Sequence, residues 1–211
     1  MKKLFLFVFC FSICVFTYSQ SSVPNFTKED QKTFSKNLFN GDYYLLTNKN
    51  VTSELPEQYV EIDSLSNKTG GSRTGTTFIT SNVFKFRGQN CYNAVFASTS
   101  GYNIQKMNSV EVAKRMISEK YFPLIVSFSD KFNFDKFKDI QYIAITISYL
   151  MKDFTEKYDL GDRYSITVFT KCSDLKKFYN LELSDEDLIK NSVMIMHGDG
   201  GTYITKLNIQ K

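Results

Sequence analysis

The stretch IQYIAITISYLMKDFTEKY (residues 140–158) decides the fold, because two periodicities compete in it. Ile143, Ile145, Ile147 and Tyr149 alternate as on a strand, whereas Ile140, Ile143, Ile147, Met151 and Phe154 recur at helical spacing. β-Branched side chains lose χ1 freedom against a helical turn and pack well on a pleated surface, so their density predicts a strand in the first half. After the turn Asp159-Leu160-Gly161-Asp162, residues 164–170 read as a neighbouring strand with Ile166 and Val168 on one face.

Toward the C-terminus two short helices are predicted, capped at Ser173 and at Ser184, the latter with Asp187 three residues on. Residues 193–196 and 202–209 flank the turn His197-Gly198-Asp199-Gly200-Gly201, the strongest hairpin signal in the chain. Toward the N-terminus a helix is predicted over 109–120, capped by Asn108 with Glu111 and presenting Ala113, Met116 and Ile117. Pro123 is expected to stop it, with a short apolar strand at 124–128 and a brief helix after Ser129 carrying Phe132 and Phe137.

Further upstream, residues 78–80 and 83–87 read as extended, turning through Gly88-Gln89-Asn90 into a strand over 91–97. Val60 and Ile62 alternate with Glu61 and Asp63, predicting a strand over 58–65; another is expected over 42–47, after a helix from Thr27 to Gly41 with Phe34 and Leu38 on one face. The glycines and hydroxyl residues of 67–77 predict a mobile loop. Strands and helices mix without regular alternation, so the expected class is α+β with a mainly antiparallel sheet and several short helices. No repeat or proline-rich linker divides residues 20–211, which are expected to form a single domain behind a short flexible N-terminal segment.

Met1-Lys2-Lys3, the apolar run 4–16 and the small residues Thr17 and Ser19 have the layout of a cleaved secretory signal peptide over residues 1–19. Thirteen apolar residues make about 20 Å of helix against roughly 30 Å of hydrocarbon, too short for a spanning anchor. Of the chain's 211 residues, 42% are hydrophobic and 23% charged, an ordinary globular composition. The first twenty residues hold 5 of the 20 Phe, 2 of the 4 Cys and 2 of the 26 Lys+Arg. The rest of the chain carries 24 basic against 22 acidic residues, a field too weak to recommend nucleic acid or an anionic membrane. The expectation is export to a periplasm or the extracellular space, with membrane contact only through the signal peptide. Abundant Lys, Asn, Phe, Tyr and Ile lean toward a bacterial source.

Cys91 and Cys172 remain after cleavage, and export would expose them to an oxidising compartment. A disulfide between them would close a loop worth about 4 to 5 kcal/mol on the chain-entropy model, and two buried free thiols are the equal alternative. No CxxC spacing occurs and His197 is the single histidine, so neither a metal nor a cofactor is expected.

Residues 70–77 approach the phosphate-cradling pattern G-x-x-x-x-G-K-[ST], but Thr76 stands in the lysine position. The segment 197–201 resembles a glycine-rich oxyanion stretch, without the nucleophile elbow that would accompany it. His197 is the weak catalytic candidate, as a general base beside Asp199 or for either cysteine. Phe132, Phe134 and Phe137, interleaved with lysines, are weak candidates for a stacking surface. The functional expectation is a non-enzymatic exported domain of the bacterial envelope or secretome that binds a macromolecule, protein or glycan. The alternative is a secreted hydrolase whose site is assembled from distant residues including His197.

Overall fold

The computed structural model describes residues 57–71, 74–157, 161–198 and 201–205. The deciding stretch is strand β3 (Tyr142–Lys152), and eight successive residues of it, from Tyr142 to Tyr149, are buried. β4 (Asp162–Lys171) pairs with it antiparallel on one side, and β2 (Gln89–Asn103) lies parallel to it on the other. β1 (Thr76–Phe86), β5 (Val193–Gly198) and β6 (Gly201–Thr205) complete a six-stranded sheet whose spatial order follows the chain. The class is α+β with a mainly antiparallel sheet, as the sequence predicts, and β2 with β3 is its one parallel pair.

The parallel pair needs a crossover, which residues 104–141 supply. Helix α2 (Ser109–Met116) starts at the predicted capping box: the Glu111 amide donates to Asn108 Oδ1 at 3.0 Å and the Asn108 amide to Glu111 Oε2 at 2.9 Å. It does not stop at Pro123. A π-helical turn (Ile117–Tyr121), closed by the Phe122 amide donating to Ile117 O, carries the helical path into α3 (Phe122–Ser129), whose first turn holds Pro123. Residues 124–128 are therefore helical rather than extended, with Leu124, Ile125 and Phe128 buried and Val126 exposed. The segment after Ser129 forms turns, not a helix.

Residues 58–65 are also helical. A 3-10 turn (Glu57–Tyr59) leads into α1 (Val60–Thr69), which buries Ile62, Ser66 and Thr69 at spacings of four and three, a longer pattern than the four-residue alternation that suggested a strand. β1 is one strand with an irregularity between Phe78 and Thr80, and its turn to β2 is Arg87-Gly88, both at positive φ. That is the two-residue geometry matching the twist of paired strands. After β4 come α4 (Cys172–Tyr179), whose N-cap is Lys171 without a side-chain cap bond rather than the expected Ser173, which lies inside the helix, and α5 (Asp185–Asn191), whose Ser184 cap accepts from the Asp187 amide at 3.1 Å. The predicted signal peptide, the helix and strand within 27–47, and Asp199 lie outside the described residues.

Alternation sorts each strand onto two faces. Ile143, Ile145, Ile147 and Tyr149 join Tyr92, Phe96, Ile166 and Val168 in a cluster to which the described helices contribute Ile62, Met116, Leu124, Phe128, Leu175 and Leu188. The opposite face collects Phe86, Cys91, Tyr142, Ala144, Phe169, Val193 and Ile195, with Phe86 stacked on Phe169 at 4.2 Å.

Helix α4 ends in a doubly bonded C-terminal turn: the Glu182 amide donates to Lys177 O at 2.8 Å and the Leu181 amide to Phe178 O at 3.0 Å. The left-handed position of this turn, normally glycine, is Leu181 at φ +62, with its side chain 92% exposed. Replacing Leu181 by Gly removes a Cβ penalty of about 1–2 kcal/mol, offset by about 0.5–1 kcal/mol of backbone entropy. Leu181→Gly is expected to raise unfolding free energy by about 0.5–1 kcal/mol in urea titration; a loss of stability would show that the leucine makes a contact of its own.

Candidate functional site

The register that fixes β3 against β4 also builds a cleft. Tyr142 pairs with Lys171, so the residues just outside that rung, Gln141 and Cys172, meet at one end of the sheet. The Cys172 amide donates to Gln141 O and the Gln141 amide to Asn90 O, both at 2.9 Å, carrying the ladder one step past the strands. The Gln141 side chain accepts from the Asn90 amide at 3.0 Å and is held in place. Helix α4 starts here and brings Ser173 from its first turn and Lys176 from its last, while the residues before β3 contribute Phe134, Lys138 and Ile140.

With Gln89 and Lys171 these residues enclose a cleft of about 370 Å³. Its floor is apolar, made by Ile140, the half-buried Phe134 and the Cys172 side chain, and its rim carries Lys138, Lys171 and Lys176. No carboxylate is among its lining residues. Asp135 lies 3.4 Å from Lys176 with both side chains exposed, a geometry that contributes little net energy.

Both thiols are free. Cys91 belongs to the cluster on the strand-only face and Cys172 packs against the helix-bearing one. Cys91 and Lys171 flank Tyr142 on either side, so their backbones are two strand spacings apart, about 10 Å. A disulfide accepts roughly 7 Å between Cα atoms and side chains directed toward each other, so of the two alternatives this arrangement has the free thiols. Burial pushes the Cys172 thiol up to about 12. Burial, and secondarily the neighbouring Cys172, holds Cys91 well above an ordinary thiol. Thiols kept protonated in this way are poor nucleophiles.

The aromatic candidates divide. Phe132 and Phe137 are each 5% exposed and stack on one another at 5.5 Å, Phe132 also on Phe128 at 5.2 Å, so both belong to the core. Phe134 meets Phe132 edge-on and reaches the cleft. The glycine-rich segment 70–77 joins α1 to β1, the reverse of the strand-loop-helix order in which amides cradle phosphate. Thr74 Oγ1 there bonds Gly71 O and Thr76 Oγ1. Among the described residues no group of three or more His, Cys, Asp or Glu could hold a metal ion.

His197 lies in β5 opposite Ser165, which in turn pairs with Ser148 on β3. The Ser148 and Ser165 hydroxyls are buried and have no hydrogen-bond partner among the described residues. Beside them runs a transverse chain of buried bonds: Asn93 Nδ2 to Asn82 Oδ1 at 3.1 Å, Thr146 Oγ1 to Asn93 Oδ1 at 2.9 Å, and Thr146 to Thr167 between hydroxyls at 2.9 Å.

Sequence reasoning does not find Lys138, Lys171 and Lys176, because 33 residues separate the first two and only the β3–β4 register unites them. The readable signal is a lysine at a strand end followed directly by a helix start. Comparison with protein-family models, curated proteins and solved structures finds no match.

The thiols define an expected outcome. An unfolded thiol ionises near pH 8.5 and an unfolded tyrosine near pH 10, whereas burial raises Cys91, Cys172, Tyr92, Tyr121 and Tyr149 in the folded chain. Acids raised by folding favour the native state below the unfolded pKa, and that contribution is lost as pH rises toward the folded value. Unfolding free energy should therefore fall from about pH 8.5 upward, and a thiolate-selective reagent at pH 8 should label both cysteines only in denaturant. Rapid labelling of Cys172 in the native protein would contradict the burial assigned to it.

Proposed function

We propose that this chain is an exported, non-enzymatic binding domain that recognises a protein or glycan partner through the lysine-rimmed cleft at the start of α4. The observation that carries the reading is the lining of that cleft: an apolar floor with cationic and amide groups convergent on it, the layout of a recognition site. Export is supported by residues 1–19, with their basic start, apolar run and small residues at 17 and 19. The raised Cys172 thiol, the cysteine that lines the cleft, is a poor nucleophile.

The reading is tested by comparing the mature protein with a K138Q/K171Q/K176Q variant as baits in the source cell's envelope fraction. All three side chains are exposed, so the variant should fold and melt like the parent. A partner identified by mass spectrometry and retained at least about tenfold less by the variant is expected, three exposed ionic contacts being worth that much together. Equal retention by both baits would remove the cleft from recognition.

A second reading has one specific observation in its favour. β5 sets the backbone of His197 opposite that of Ser165, a pairing of residue types that can serve as general base and nucleophile. If the protein is a hydrolase, purified mature chain should turn over an ester, peptide or glycoside substrate, and Ser165→Ala and His197→Ala should each abolish that turnover. Activity that survives both substitutions, or no activity across the panel, leaves the row as a structural one.

A further inference from the structure

We propose that the cleft takes an oxyanion group of two or more negative charges, either a phosphate ester or a set of clustered carboxylates; this rests on the cleft being the recognition surface. Three elements each deliver one cation to it: Lys138 from the turns before β3, Lys171 from the end of β4, and Lys176 from α4, which follows β4 directly. The remaining polar lining, Ser173, Gln89 and Gln141, can donate as well. Like charges around one hollow repel, and with no carboxylate in the lining an anionic ligand would relieve them. Asp135 lies outside the lining and offsets Lys176 alone.

Shape narrows the ligand further. A volume of about 370 Å³ exceeds what one oxyanion group fills, leaving room for the organic body that bears it. That body would lie on Ile140, Phe134 and Cys172, an apolar floor suited to a carbon skeleton or a ring and poorly suited to a hydrated ion alone. A neutral sugar could stack on the floor but leaves the charge of the rim unanswered.

The probes are inorganic phosphate and citrate, titrated separately into the mature protein and followed by amide chemical shifts and by melting temperature, with maltose as the neutral comparison. Saturable shifts centred on Ser173, Lys176 and Gln141 are expected with at least one anion, and the anion that produces them assigns the source as phosphate or carboxylate. K138Q/K171Q/K176Q should weaken that binding by about tenfold or more, while K106Q/K114Q/K190Q, with the same change in net charge elsewhere, should alter it less than about twofold. Binding should also weaken as ionic strength rises from about 0.05 M to about 0.5 M.

No saturable response to either anion, or equal losses in the two triple variants, would overturn the proposal. Partner capture that needs the three lysines but resists displacement by both anions would also overturn it while leaving the binding-domain reading in place. Anion binding by a protein that captures no partner would support this proposal and overturn the wider reading.

Discussion

Strand β3 has neighbours along both edges and burial on both faces, and the remaining elements take their places from that condition. Its residues from Tyr142 to Tyr149 leave almost no surface to water, so each backbone amide and carbonyl there must find a partner in the sheet. β4 satisfies one edge through a nearby hairpin connection, whereas β2 satisfies the other in parallel and so requires the helical crossover that covers one face. The sequence cost of this arrangement is that the residues alternating with Ile143, Ile145 and Ile147 are small or hydroxyl-bearing, Ala144, Thr146 and Ser148, and buried with them.

The two faces of β3 are chemically unlike. The helix-bearing side is aliphatic and aromatic along its whole length, and packing there is non-directional. On the other side Thr146 sits in a chain of hydrogen bonds with Asn93, Asn82 and Thr167 that crosses four strands. A slip of one residue in any of these strands would turn a buried amide or hydroxyl toward aliphatic side chains without a partner, a cost of about 1–3 kcal/mol for each group. The polar chain thereby fixes the same register that brings Gln141 and Lys171 to the cleft.

Legibility followed the range of the interactions. The hairpins and the caps at Asn108 and Ser184 could be read, because the groups that make them lie within a few residues of one another. Residues 58–65 were misread because four alternating positions fit both periods, and only Ser66 and Thr69 extend the helical one. Pro123 misled for a different reason: a proline ends a helix when it breaks a bond, and the π turn before it had already placed it in a first turn. The cleft could not be read, since Lys138, Lys171 and Lys176 acquire a shared meaning only once β3 and β4 are in register.

The single parallel pairing also bears on how the chain reaches this arrangement. Closing β1 on β2 requires two turn residues, Arg87 and Gly88, whereas bringing β3 beside β2 requires ordering the 38 residues from 104 to 141. The logarithmic cost of chain closure makes the second event about 2–3 kcal/mol more demanding in entropy than the first. On loop-closure grounds the local hairpins are expected to gain their contacts before the seam between β2 and β3, and the crossover to set the pace of folding. Until that seam closes, the facing edges of β2 and β3 offer unpaired backbone to any neighbouring chain, and the newly made protein is at its most vulnerable to aggregation there.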